Sequence, residues 1–283
     1  MVEPRVLMTG IAFGECPRWI DDRLWFCDWL AQEVIALDLD GSSEVKARVD
    51  FPSMPMSIDQ LPDGRVLVVS SSQGLLLTIE PDGSLAPYAD LSAITTGYNE
   101  LVVDGRGNCY VNGGGFNLMA GEEFRPGIIA LVTPDGSSRQ VADGIAFGNG
   151  MAVTPDNATL IVAESYGKRL SAFDIGPDGD LSGRRFWADL GEGTPDGICI
   201  DAEGAVWYAD VPHQCCVRIA EGGEVLQTVA LDRGGFACML GGPDRQTLFI
   251  VATEWRGISG AEQATRTGQI LTVPAPAPSA GWP

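Results

Sequence analysis

One phrase recurs six times along the chain and restricts its fold more than any other feature. It consists of a polar turn containing Asp, Gly or Pro, followed by a short run of aliphatic, β-branched or aromatic residues. Such a phrase is typical of the turn between two antiparallel strands. The six copies begin at residues 20, 62, 104, 155, 201 and 243. The repeat therefore indicates an all-β chain built from six similar units.

Each unit contains more than the two strands that flank its turn. A further apolar segment follows each phrase, and most of these segments end in another turn that opens a more polar fourth strand. Units of this kind, repeated every ~40–50 residues, predict a six-bladed β-propeller with four antiparallel strands per blade. The predicted third strands are Glu33–Asp38, Gly74–Ile79, Gly127–Val132, Arg169–Asp174, Cys216–Ile219 and Gln269–Val273.

The two chain ends have separate predicted roles. A strand around Val6–Ile11 precedes the first unit, and the last unit lacks a clear outer strand. We therefore expect the N-terminal strand to complete the last blade and close the ring, which would leave no long exposed sheet edge. Residues 1–273 are expected to form the single propeller domain. Residues 274–283, rich in Pro and Ala, are expected to form an extended, loosely held tail.

The charge of the chain argues against several classes of partner. Its formal charge is −20, from 18 Lys and Arg residues against 38 Asp and Glu residues. Nucleic acids and anionic membranes both require a basic surface, so neither is expected to bind. The negative charge of the chain would attract cations, although the same charge also keeps a protein soluble.

Short hydrophobic segments and unpaired cysteines indicate a cytoplasmic protein. No segment approaches the ~20 apolar residues needed to cross a bilayer, and the N-terminus lacks the basic and apolar regions of a signal peptide. The seven cysteines are odd in number and contain no Cys-x-x-Cys pair. We expect reduced, buried thiols rather than a disulfide framework or a zinc site.

Alignment of the six units identifies one equivalent position just before each innermost strand. In a propeller these positions converge on the central channel. Carboxylates forced together there repel one another unless a cation compensates, and oxygen donors suit Ca²⁺, Mg²⁺ or Mn²⁺, with Zn²⁺ also acceptable. Capping of backbone groups or binding of channel water is the alternative interpretation. The six residues, at intervals of 41 to 50, are Glu15, Met56, Asn99, Asn149, Asp196 and Ala237.

Four segments around these positions resemble the metal-binding motifs of the regucalcin/gluconolactonase-like family. The resemblance implies a six-bladed propeller that binds one divalent metal ion, Ca²⁺ first among the candidates, at one mouth and hydrolyses a lactone. It also implies that Glu15, Asn149 and Asp196 ligate the metal, that Asp196 doubles as the general base, and that Asn99 contacts substrate or metal. The segments are Gly14–Trp19, Asn99–Asp104, Gly148–Met151 and Pro195–Gly197.

The chain departs from the family pattern at two of these motifs. Cys16 follows Glu15 where the family often has Gly. Sugar-lactone hydrolases of the family carry Arg-x-Asn-Asp-Gly, whereas this chain has Gly97 at the arginine position and Glu100-Leu101 after Asn99. The arginine that would bind a polyhydroxylated substrate is missing. The substrate is therefore expected to be a lactone or ester with fewer hydroxyl groups than a sugar lactone.

The leading functional hypothesis is a metal-dependent hydrolase that opens a small-molecule lactone. The chain lacks the sequence motifs of serine hydrolases, phosphate-binding loops, dinucleotide-binding folds and zinc proteases. A non-catalytic propeller that binds calcium or a partner protein is one alternative, and a metal-free condensation reaction on the same fold is another. The residues expected to contact substrate, besides Asn99, are Phe116, Asn117, Tyr166 and His213, with Trp29 also near the entrance.

Overall fold

Six antiparallel sheets of four strands each form a closed ring, as the sequence predicts. The computed structural model describes residues 3–49, 54–117, 120–255, 257 and 266–283. The first strand of each blade contacts the first strands of the two adjacent blades, so these six inner strands surround a central channel. The prediction of a six-bladed, all-β propeller is confirmed.

The bounds of the strands agree with the predicted third strands to within two residues. In chain order and grouped by blade, the strands are β1 (Arg5–Ile11); β2 (Gly14–Ile20), β3 (Arg23–Asp28), β4 (Glu33–Leu37) and β5 (Ser43–Arg48) of blade 1; β6 (Ile58–Gln60), β7 (Val66–Ser70), β8 (Leu75–Ile79) and β9 (Leu85–Asp90) of blade 2; β10 (Tyr98–Val103), β11 (Cys109–Gly113), β12 (Gly127–Val132) and β13 (Ser138–Ile145) of blade 3; β14 (Gly148–Val153), β15 (Thr159–Glu164), β16 (Arg169–Ile175) and β17 (Leu181–Asp189) of blade 4; β18 (Pro195–Ile200), β19 (Val206–Asp210), β20 (Cys215–Ile219) and β21 (Val225–Ala230) of blade 5; and β22 (Gly234–Gly241), β23 (Thr247–Thr253) and β24 (Gly268–Pro274) of blade 6.

The repeated phrase forms the turn between the first and second strands of each blade. In blade 5 the Asp201 carboxylate accepts hydrogen bonds from the backbone N–H groups of Glu203 and Ala205. Gly204 in the same turn has a φ of +75°, which glycine adopts without steric penalty. Aspartate and glycine at these positions therefore fix the turn and, with it, the register of the two strands.

The N-terminal strand closes the ring. β1 pairs antiparallel with β24 and becomes the outer strand of blade 6, whose other strands come from the C-terminal end of the chain. Between blades 1 and 6, Trp19 stacks on Phe249 with ring centroids 5.3 Å apart. The predicted ring closure by the N-terminal strand is confirmed.

Apolar side chains of the first and second strands of each blade fill the space between neighbouring blades. Every residue of β7 and of β19 is buried, whereas the fourth strands carry many exposed residues. All seven cysteines are free, and six of them are buried in these interfaces. Within the part of the chain that the structure describes, no helix is long and apolar enough to cross a membrane.

The tail at residues 274–283 is held more firmly than the sequence suggests. It is extended, but it crosses the face of the propeller at which the inner strands end. Trp282 exchanges two backbone hydrogen bonds with Val153 at the end of β14, and Ala280 donates to the carbonyl of Ile200 at the end of β18. Ala277 is buried. The expectation of a loosely held tail was wrong, because backbone groups at the ends of β14 and β18 form hydrogen bonds with it.

Candidate metal centre

The mouth of the channel is the end at which the inner strands begin. Glu15, Asn99, Asn149 and Asp196 each occupy the second position of their inner strand, so the predicted polar residues meet at one end of the channel. The register of each of these strands shifts at or beside that position. A bulge bends a strand and re-aims its side chains. The bulges thus permit polar side chains to face the channel while the rest of each strand stays in the sheet.

Two glycines allow the ligand-bearing strands to approach closely. A Cβ atom at Gly150 would lie 2.4 Å from the backbone nitrogen of Ile198 in the next blade. A Cβ atom at Gly197 would lie 2.5 Å from the Cβ of Ala237 in blade 6. Both distances are far below van der Waals contact. The glycines that follow Asn149 and Asp196 in the sequence therefore set how near the inner strands come at the mouth.

Glu15 and Asp196 are close enough to repel each other. Burial raises the pKa of Glu15 well above its usual value, and the charges of Asp196 and Glu100 raise it further. Burial likewise raises the pKa of Asp196, and the charge of Glu100 raises it further. A hydrogen bond from Asn149 lowers the same pKa. The three residues predicted as metal ligands are therefore neighbours. Their negative charges are poorly compensated by the protein itself.

One oxygen of this group has no partner. Asp196 Oδ1 is inaccessible to solvent and makes no hydrogen bond, and leaving a buried carboxylate oxygen unsatisfied costs ~1–3 kcal/mol or more. A divalent cation would satisfy this oxygen and offset the repulsion with Glu15. Among the described residues no three Asp, Glu, His or Cys side chains form a metal-binding group. The donor set would thus be two carboxylates with the Asn149 amide oxygen, a hard set that fits Ca²⁺, Mg²⁺ or Mn²⁺.

A buried ion-pair network lies beneath the ligand set. Arg18 Nη2 donates to Glu100 Oε1 at 2.8 Å, and Arg18 Nε lies 3.5 Å from Asp59 Oδ1. Burial works to lower the pKa of Arg18, but the adjacent carboxylates of Asp59 and Glu100 raise it above its usual value. Glu100 also accepts hydrogen bonds from Ser57 Oγ at 2.6 Å and from Cys16 Sγ at 3.1 Å. The arginine thereby holds two carboxylates in the channel wall.

The channel below the mouth is almost filled. Arg18, Glu100, Met151 and Cys238 line a cavity of about 10 Å³, which is room for a single water molecule. A lactone cannot enter this space. Any organic ligand of the site must therefore lie above the ligand set, among the loops of the mouth.

Asn99 and His213 are both fixed near the predicted ligands. Asn99 Nδ2 donates to the carbonyl of Gly148 at 3.0 Å, which places it beside Asn149. His213 Nδ1 lies 2.9 and 3.0 Å from the two carboxylate oxygens of Asp210, and its side chain is 48% exposed. The charge of Asp210 contributes to the raised pKa of Asp196, so this pair lies near the ligand set. The roles predicted for Asn99 and His213 remain predictions.

The other residues predicted at the entrance have different surroundings. Phe116 and Tyr166 contact each other with ring centroids 5.8 Å apart. Asn117 is exposed, and its Oδ1 accepts a hydrogen bond from the backbone of Ala120 in the same loop. Trp29 stacks on Phe13 with ring centroids 5.3 Å apart, and its Nε1 donates to the carbonyl of Met56, just before blade 2 begins. The place of Phe116 and Tyr166 at the entrance stays a prediction, whereas the Asn117 side chain is bonded within its own loop.

Three charged residues of the channel were not singled out from the sequence. Arg18, Asp59 and Glu100 are each less than 10% exposed and come from three different blades. One signal was available, because an arginine inside an inner strand is buried and must find a carboxylate partner. Its partners could not be named, since they lie 41 and 82 positions away along the chain.

A protein-family model matches most of the chain. Residues 13–254 match the SMP-30/gluconolactonase/LRE-like region. Regucalcin from Xenopus laevis is 28% identical over 265 residues, which cover 87% of this chain and 85% of that protein. A pentonolactonase from Haloferax volcanii is 23% identical over 284 residues, which cover 92% of this chain and 88% of that protein.

Solved structures share the fold. A gluconolactonase from Xanthomonas campestris superimposes with a TM-score of 0.78 at 22% identity, covering 96% of this chain and 89% of that one. A calcium-binding regucalcin from Agrobacterium tumefaciens gives a TM-score of 0.80 at 21% identity, covering 99% and 95%. At these identities the likeness establishes the propeller fold alone.

Proposed function

The chain belongs to the SMP-30/gluconolactonase/LRE-like family, and on that premise we propose that it is a divalent-metal-dependent hydrolase that opens a lactone ring. The observation that carries the proposal is the convergence of Glu15, Asn149 and Asp196 at the mouth, with Asp196 Oδ1 buried and unpartnered. A propeller that served only as a scaffold would gain nothing from two repelling, desolvated carboxylates at this place. A pentonolactonase and a gluconolactonase among its relatives support the same reaction class.

Hydrolysis of a lactone requires a polarised carbonyl, an activated water and stabilisation of the oxyanion that forms. A divalent ion held by Glu15, Asn149 and Asp196 would supply Lewis-acid polarisation and charge stabilisation. Asp196 accepts the proton of the attacking water on a carboxylate oxygen, since a base must lie within hydrogen-bond reach of that water. The ring C–O bond then breaks, the proton held by Asp196 passes to the departing ring oxygen, and the product is a hydroxy acid.

Neighbouring residues orient these groups. Asn99, hydrogen-bonded to the Gly148 carbonyl, is positioned to contact the substrate or the metal site beside Asn149. His213 is oriented by Asp210 through Nδ1, which leaves Nε2 available to exchange a proton with solvent.

The substrate is proposed to carry fewer hydroxyl groups than a sugar lactone. Gly97 stands where an arginine would contact those hydroxyls, and the arginine nearest in the channel wall, Arg18, is already bonded to Glu100 and Leu101. A polyhydroxylated ring would therefore leave hydroxyl groups without donors. A site without matching donors rejects an added hydroxyl group by only about 10²-fold, so the expected preference is moderate.

Lactone hydrolysis by metal-stripped protein tests the proposal. Chelator-treated enzyme is expected to be inactive, and Ca²⁺, Mg²⁺, Mn²⁺ or Zn²⁺ added separately is expected to restore turnover of at least one lactone in a panel from sugar lactones to simple aliphatic ones. Acid release at constant pH measures the rate. Full activity after chelation, with no metal detected by mass spectrometry, would contradict metal dependence.

A calcium-binding protein without catalytic activity is the second candidate. It is favoured by the donor set itself, which can hold a cation whether or not a substrate is present, and by the calcium-binding regucalcin among the structural neighbours. Tight calcium binding by protein that turns over no lactone in the panel would support this candidate over the hydrolase.

A further inference from the structure

Four aromatic rings form a cluster on the rim beside Asn149. Phe147 stacks on Tyr166 with centroids 4.8 Å apart, and Phe116 lies 5.6 Å from Phe147. Phe124 completes the cluster at 5.5 Å from Phe116 and 5.4 Å from Tyr166. These four residues are called the aromatic patch below. They come from the β11–β12 loop, the β13–β14 turn and the β15–β16 loop.

Two of the four rings of the aromatic patch are open to solvent. Phe124 is 45% exposed and Tyr166 is 50% exposed. Phe13, which precedes Glu15 as Phe147 precedes Asn149, is only 9% exposed and is covered by Trp29 and other rings. Rings that served only to pack blades together would be buried as Phe13 is. Contiguous exposed apolar surface beside a functional site is typical of ligand binding.

Backbone hydrogen bonds hold two rings of the aromatic patch, Phe147 and Tyr166, against the ligand set. Ser165 and Tyr166 donate from their backbone N–H groups to the carbonyls of Phe147 and Ala146 at 3.0 and 3.1 Å. Ser165 Oγ donates to the carbonyl of Pro195 at 2.7 Å, immediately before Asp196. Phe147 and Tyr166 are thus anchored to the strands that carry two proposed metal ligands, and these two rings would lose little conformational entropy when they bind a ligand.

The cationic side chains next to the aromatic patch are already paired. Arg125 Nη2 lies 3.1 Å from Glu122 within the β11–β12 loop, and Lys168 is paired with Glu192. Both cations therefore already have a carboxylate partner, although exposed pairs of this kind are weak. The surface that faces a substrate here is made of ring faces and edges, which bind flat apolar groups.

We propose that the aromatic patch binds the substituent of the substrate, and that the preferred substrate is a lactone bearing an aryl or similarly flat apolar group. This inference rests on the proposed function, because it places the lactone ring at Glu15, Asn149 and Asp196. Water adds to the lactone carbonyl and the ring C–O bond breaks, which gives an aryl-substituted hydroxy acid. The substituent stays on the rim, since the channel beneath has no room for it.

The preference between two matched substrates tests this inference. Wild-type protein is expected to hydrolyse γ-phenyl-γ-butyrolactone with a higher kcat/KM than γ-butyrolactone. Phe124→Ser is expected to lower the ratio of these two values about tenfold, the effect expected from one lost aromatic contact. Phe186→Ser, a matched change of a 68% exposed ring on β17, is expected to leave the ratio unchanged.

Binding of a lactam separates this inference from the proposed function. Calorimetry with γ-phenyl-γ-butyrolactam and with unsubstituted butyrolactam measures recognition without turnover. Binding of the phenyl lactam that Phe124→Ser weakens and Phe186→Ser does not would support the aromatic subsite even in a protein that hydrolyses no lactone. Turnover of both lactones at one rate, together with equal binding of both lactams, would overturn the subsite and leave the hydrolase proposal standing.

Discussion

Asp196→Asn is expected to lower kcat/KM for the best lactone by a factor on the order of 10³ or more. The substitution removes both a metal ligand and the proton acceptor, and a positioned general base alone contributes about 10²–10⁴-fold. It also removes one of the charges that raise the pKa of Glu15. The free energy of unfolding of the metal-free protein should therefore stay equal or rise, so lost activity would not reflect lost fold.

Asp244→Asn is the matched control for this variant. Asp244 is an exposed aspartate in the β22–β23 turn, where its carboxylate accepts a backbone hydrogen bond from Gln246. The turn lies at the opposite end of the inner strands from the mouth, so kcat/KM is expected to match the wild type. Retention of most of the activity in Asp196→Asn, measured alongside this control, would show that Asp196 is neither ligand nor base.

Arg18→Met is expected to lower the free energy of unfolding by about 3–5 kcal/mol, as is typical when one partner of a buried ion pair is removed. The side chains of Arg18, Asp59 and Glu100 are only 6%, 9% and 5% exposed. Methionine fills a similar volume, but it leaves two carboxylates uncompensated beside Glu15 and Asp196. Urea unfolding followed by circular dichroism measures the change.

Two further variants separate the ion pair from side-chain packing. Arg18→Met with Glu100→Gln should recover part of the lost stability, because the second change removes one of the stranded charges. Arg23→Met breaks a partly exposed pair with Asp38 and Glu44 on blade 1, and it should cost no more than about 1 kcal/mol. Equal losses for Arg18→Met and Arg23→Met would mean that the channel network contributes no special stability.

The propeller could be predicted in detail because its signals are local. Turn residues such as Asp201 and Gly204 act within four or five positions, and alternation of apolar residues defines each strand where it occurs. The tail was misjudged for the same reason. Its Pro and Ala residues lack a local signal, and its order comes from backbone groups of Val153 and Ile200 in distant blades.

Only those residues of the candidate site that occupy equivalent positions in the repeats could be predicted. Glu15, Asn149 and Asp196 occupy equivalent repeat positions, so alignment of the units alone predicts that they lie together. Arg18 and Glu100 pair between blades 1 and 3, and no pattern within a unit specifies that contact. The contribution of Phe124 to the aromatic patch depends on the path of a long loop, which composition does not determine.

Calcium titration of chelator-treated protein by calorimetry tests most directly whether the mouth is a metal centre. Wild-type protein is expected to bind one ion per chain, and Asp196→Asn is expected to bind it at least about 10²-fold more weakly, since even indirect support of a ligand contributes 10–100-fold. No binding of Ca²⁺, Mg²⁺, Mn²⁺ or Zn²⁺ by the wild type, or equal affinity in Asp196→Asn, would show that Glu15, Asn149 and Asp196 do not form a cation site.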